Sequence, residues 1–79
     1  MDIKEAVEVI KKNMGAEGVI DDIEIWLTLK YDYTTDTARI VVYSFVSDPI
    51  VIEQNLDYEA AKKKFMDIVK KYNLRIIRG

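Results

Sequence analysis

Residues 23–47 read IEIWLTLKYDYTTDTARIVVYSFVS. Ile23, Ile25, Leu27, Leu29, Tyr31 and Tyr33 alternate with Glu24, Trp26, Thr28, Lys30 and Asp32. A period of two separates these sets onto opposite faces of an extended strand. Thr34 to Thr37 is turn-like, and Ala38 to Ser47 is a second run rich in β-branched and aromatic residues. A four-residue loop between them sets Tyr33 opposite Ala38. Asp32 then faces Arg39, Thr28 faces Tyr43 and Trp26 faces Phe45 on one side of the hairpin. Leu29 with Val42 and Ile25 with Val46 fill the other side. An opposite-charge pair and an aromatic pair falling together favour this register.

Towards the N-terminus, Asp2 and Glu5 have the spacing of a capping box. Ile3, Ala6, Val7, Ile10 and Met14 then form one helical stripe, which Asn13 and Gly15 end. An acidic loop around Gly15 to Gly18 leads into the first strand. Towards the C-terminus, Asp48–Pro49 reverses the chain into a third strand, Ile50 to Gln54. Asn55 or Asp57 caps a second helix whose stripe is Tyr58, Ala61, Phe65, Ile68, Val69 and Tyr72. Asn73 ends that helix, and Leu74 to Arg78 is a last short strand. The expected order is helix, three strands, helix, strand in one domain, residues 1–79. The three strands form an antiparallel meander, and the helical crossover makes the fourth strand parallel to the third. The expected fold is an α+β two-layer sandwich, with two helices on one face of a mixed four-stranded sheet and the other face open.

The remaining residues restrict function. With 79 residues and 9.2 kDa, size scaling gives about 4,900 Å² of folded surface, enough for one small core. There is no His and no Cys, which removes imidazole catalysis, thiol nucleophiles, disulfides and most transition-metal sites. Ser44 and Ser47 have no His to activate them, and no P-loop or GxSxG pattern occurs, so an enzyme is not expected. No apolar run has membrane-spanning length, and the expected setting is cytoplasmic. The net charge of −2 conceals an acidic front half, −5 over residues 1–38, and a basic back half, +3 over residues 39–79.

Three places are candidates for binding. If both helices end where the first strand begins, their C-terminal dipoles meet Glu17, Asp21, Asp22 and Asp48 in one corner. Carboxylates and free carbonyls on a flexible loop are the donor set of Ca²⁺. Lysines in the last helical turns, Lys11, Lys12, Lys70 and Lys71, are the competing occupants of that corner. The second candidate is the open sheet face, where Trp26, Tyr43 and Phe45 form an aromatic patch suited to a protein partner or a second copy. The third is the Lys62–Lys63–Lys64 stretch, which would take nucleic acid if it is more than the solvent face of a helix. The acidic front half makes nucleic acid the weakest of these partners.

The order of elements, with an acidic loop before the first strand, resembles a family of small archaeal calcium-binding α+β proteins. The resemblance implies Ca²⁺ binding around Glu17, Asp21, Asp22 and Glu24, in a non-catalytic module.

Overall fold

The computed structural model describes residues 2–79. Its largest departure from expectation lies at Met14–Ile20, which is a strand, β1. Met14, Ala16, Gly18 and Ile20 alternate with Gly15, Glu17 and Val19, so the stretch has a strand's period. Two glycines and the place of Met14 on the preceding helical stripe hide that period. The turn after it, Asp21–Asp22, holds both residues at positive φ, +51° and +65°, the backbone of a two-residue hairpin turn of the primed type. Gly18 is closely packed here: a Cβ at that position would meet a terminal methyl of Leu74, which would have to move aside.

The element order is α1 (Ile3–Lys12), β1, β2 (Ile23–Asp32), β3 (Thr37–Ser44), β4 (Ile50–Leu56), α2 (Tyr58–Tyr72) and β5 (Arg75–Arg78). The strands form one five-stranded sheet in the order β4-β3-β2-β1-β5, and every neighbouring pair is antiparallel. The expected mixed four-stranded sheet is therefore overturned. The last strand does run in the same direction as β4, but α2 carries it across three strands to the far edge, where it meets β1. The additional strand also reverses the place where α1 ends. That helix finishes at the edge where β2 ends, and α2 finishes at the opposite edge, where β2 begins.

The β2–β3 register differs from expectation by two residues. Lys30 faces Arg39, Thr28 faces Val41 and Trp26 faces Tyr43. The loop is Tyr33 to Asp36, fixed by Asp32, whose Oδ1 accepts from Thr34 N–H (2.9 Å) and Thr34 Oγ1–H (2.6 Å). Asp36 closes the turn at a φ of +53°. An even shift leaves every side chain on its expected face.

Both expected helix starts are present. Asp2 and Glu5 form the reciprocal capping box of α1, and the Asp57 side chain accepts from Glu59 and Ala60 N–H to cap α2. Asn73 ends α2 in the left-handed conformation. The inner stripe of α2, Ala61, Phe65 and Val69, is buried against Ala16, Leu27, Leu29 and Ile40, and Phe65 is fully enclosed. Fully burying a side chain of this size contributes on the order of 2–3 kcal/mol. α1 contributes no buried residue. Its polar ties lie near its C-terminal end, where Asn13 Oδ1 accepts from Tyr31 N–H (2.9 Å) and Lys12 Nζ stands over the Tyr31 and Tyr58 rings at 4.3 and 5.2 Å.

Candidate functional site

Opposite the helices, the sheet presents Gly15, Glu17, Trp26, Thr28, Lys30, Arg39, Val41, Tyr43 and the side chains of Arg75 and Arg78. Neither helix packs on this side: the α2 core residues all lie with the other face. Val41 is nonetheless buried, with Thr28 and Val51 as its partners on the two neighbouring strands. The Thr28 hydroxyl donates to the Val41 carbonyl at 3.2 Å, which ties the middle of the face together.

The aromatic patch expected at Trp26, Tyr43 and Phe45 is assembled on this face. Trp26 lies directly opposite Tyr43, and its ring meets Phe45 edge to face with centroids 5.1 Å apart. Phe45 lies past the end of β3 and is 86% exposed, far more than an apolar ring without a partner normally is. Lys30 Nζ lies 5.0 Å from the Tyr43 ring centre, a cation–π contact. Lys30 also stands directly across from Arg39, so two cations share one cross-strand position. Like charges placed this way oppose each other. On the far side, Glu17 and Arg75 form an ion pair that cancels one charge of each sign.

A depression of ≈ 230 Å³ opens beside the patch, with Gly15 and Thr28 as its floor and Trp26, Lys30, Ile77 and Arg78 around it. Reading Met14–Ile20 as part of a loop concealed this hollow, since Gly15 and Arg78 meet only through the β1–β5 pairing.

No family model, no curated protein sequence and no solved structure matches this chain.

The acidic residues do not gather as expected. Glu17 lies within β1 and is paired with Arg75; Asp21 and Asp22 form the exposed β1–β2 turn; Glu24 lies opposite Val19; Asp48 is in the β3–β4 connection. Among the described residues, no group of three or more His, Cys, Asp or Glu side chains is placed to hold a metal ion. The physical reason is the extra strand, which sends the C-terminal end of α1 to the other edge of the sheet. Lys62, Lys63 and Lys64 are exposed along α2, and Lys64 is bridged to Glu53 at 2.6 Å.

A second concavity, at the edge where β2 ends, is lined by Val9, Asn13, Tyr31, Tyr33, Gln54 and Asn55 among others. The two groups with shifted pKa values lie here. The Asp36 carboxylate accepts from the Tyr31 hydroxyl at 2.6 Å and holds that phenol above its ordinary range. The Thr34 hydroxyl and N–H hold the Asp32 carboxyl below its ordinary range. Both shifts arise from hydrogen bonds that shape the hairpin tip, and they point to a structural task. Among the described residues no helix is long and apolar enough to cross a membrane.

Proposed function

We propose that the chain is a non-catalytic protein-binding module, and that its open sheet face docks an acidic segment carrying apolar side chains from a partner protein. The observation that carries this reading is the opposed Lys30–Arg39 pair beside the exposed Phe45 and the Trp26–Tyr43 pair. A carboxylate set between the two cations would relieve their repulsion, and an apolar side chain would cover Phe45 or enter the hollow over Gly15. The absence of His and Cys supports the non-catalytic part. Ca²⁺ binding draws no support from the scattered carboxylates.

The test begins with peptides selected from a display library against the purified protein, read by the fluorescence of Trp26, the only tryptophan. Enriched peptides are expected to be acidic with aromatic or aliphatic anchors. Their binding is expected to fall at least about tenfold in Arg39→Glu, an effect on the order of 1.4 kcal/mol, and in Tyr43→Ala. Salt-sensitive binding of single-stranded oligothymidylate to the same face, with no acidic peptide enriched, would overturn the reading in favour of a nucleic-acid platform.

A further inference from the structure

Gly15 is a residue of the open face that folding does not explain. Its φ lies outside the left-handed region, so the backbone does not ask for glycine. A Cβ there would meet Arg78 Cβ at 3.6 Å and Ile77 Cγ1 at 3.8 Å, ordinary van der Waals contacts, so packing does not ask for it either. The position is buried within the sheet, between Thr28 of β2 and Arg78 of β5. A β-branched or aromatic side chain would strengthen a strand at such a place. Gly18 differs, because a Cβ there meets the methyl of Leu74. A glycine inside a strand that neither backbone nor packing demands marks a close approach from outside.

The surroundings of Gly15 say what approaches. The hollow above it, ≈ 230 Å³, is smaller than the roughly 300–1,000 Å³ of pockets for drug-sized ligands, so it has room for one ring. Trp26 stands beside it, and an indole favours an aromatic guest, because ring pairs gain beyond their buried area. The charged residues of the lining, Lys30 and Arg78, are both positive. Glu17, the acid of β1 on this face, is already paired with Arg75. The β1–β5 ladder shifts register between Gly15 and Ala16, and the extra residue brings Arg78 in place of Ile77 opposite Gly15. Bulges of this kind re-aim a side chain and recur beside functional sites. Among the described residues Arg78 enters no ion pair, so its planar fork is available to a carboxylate.

We infer that the hollow over Gly15 is a slot for one aromatic ring of the segment that docks on the open face, and that Arg78 takes the carboxylate of an acidic residue next to that ring. The inference rests on the docking reading given above and adds its anchor. A partner is selected by an aromatic residue with an acidic neighbour, and not by acidity alone. Gly15 determines that specificity by leaving the room. A side chain at position 15 exchanges the slot for a firmer strand.

Two synthetic peptides, acetylated and amidated, differ only in carrying Phe or Ala between two Asp residues. Hydrocinnamate, one ring with one carboxylate, probes the slot without a peptide. Binding is read by nuclear magnetic resonance from the backbone amides of residues 15, 28 and 78 and the indole N–H of Trp26. The Phe peptide is expected to bind at least about tenfold tighter than the Ala peptide, and hydrocinnamate to shift the same signals. Gly15→Ala should hold or raise the Tm while reducing the Phe preference, and Gly15→Val should abolish it. Arg78→Gln should weaken hydrocinnamate about tenfold. Both peptides binding alike, or a Phe preference that survives in Gly15→Val, overturns the slot and leaves the docking reading standing. Hydrocinnamate binding with neither peptide bound overturns the docking reading, and with it the assignment of the ring to a partner protein. A fall in Tm for Gly15→Ala shows that folding itself needs the glycine, and the inference falls.

Discussion

Lys30 faces Arg39 directly across the β2–β3 ladder, on the face without helices. The facing of two cations opposes folding, since like charges at a cross-strand position repel, although Lys30 also rests over the Tyr43 ring. Replacing Lys30 by Glu turns the pair into an attractive one and should stabilise the free protein by about 0.2–1 kcal/mol in urea unfolding. The same change should abolish capture of acidic peptides. A variant that is less stable, or that binds as before, would show that the pair has another purpose.

Gly18 sits in β1 beneath Leu74, a residue that closes the core after α2. Gly18→Ala should cost about 1–3 kcal/mol, the range expected when a well-packed core is overfilled. Leu74→Ala in the same chain removes the obstructing methyl groups, so the double variant should be less destabilised than the two single changes added together. Additive losses in a double-mutant cycle would place the glycine requirement in the backbone instead.

The hairpin tip makes two opposite predictions for pH. Asp36 holds the Tyr31 phenol above its ordinary pKa, chiefly through the hydrogen bond it accepts and then through partial desolvation. A raised folded-state value means stability that is present below the unfolded tyrosine pKa and lost as pH climbs through the folded one. Asp32 is held down by Thr34, so its contribution is present above the unfolded carboxyl pKa and lost as pH falls through the folded one. Nuclear magnetic resonance titration of Asp36→Asn should show the Tyr31 pKa moving down. Thr34→Val should move the Asp32 pKa up and bring the onset of acid unfolding to higher pH.

Asp21 and Asp22 both hold left-handed backbone, which Asn and Gly occupy at less cost than Asp. Combining Asp21→Asn with Asp22→Gly should add about 0.5–1 kcal/mol, or roughly 2–8 °C in Tm for a chain of this size. Thermal scans also separate turn from metal site: added Ca²⁺ should leave the Tm of the native chain unchanged.

Much of this architecture was legible because local patterns were strong. The Asp2–Glu5 box, the Ala61–Phe65–Val69 stripe and the alternation from Ile23 to Asp32 each match the element they form. The aromatic residues share the open face for the same reason, since a two-residue slip in register leaves Trp26 and Tyr43 on one side. The slip accompanies a loop that starts one residue earlier, at Tyr33, with Thr34 bonded back to Asp32. The strand from Met14 to Ile20 was illegible for a different reason. Gly18 lies against Leu74, and that contact is visible only once residues more than fifty positions away are in place. Everything that depended on that strand, including the supposed gathering of acids, was lost with it.

The pairing of β1 with β5 joins Glu17 to Arg75 across 58 positions. Closing so long a loop is entropically slow, and only four residues reward it once closed. β5 is therefore expected to open more readily than the rest of the sheet, and amide exchange should be fastest there. Each such opening bares the backbone of β1 and unroofs the hollow over Gly15 in one motion. The Glu17–Arg75 bridge is the side-chain tie across this pairing, and amide exchange in β5 should quicken in Arg75→Ala.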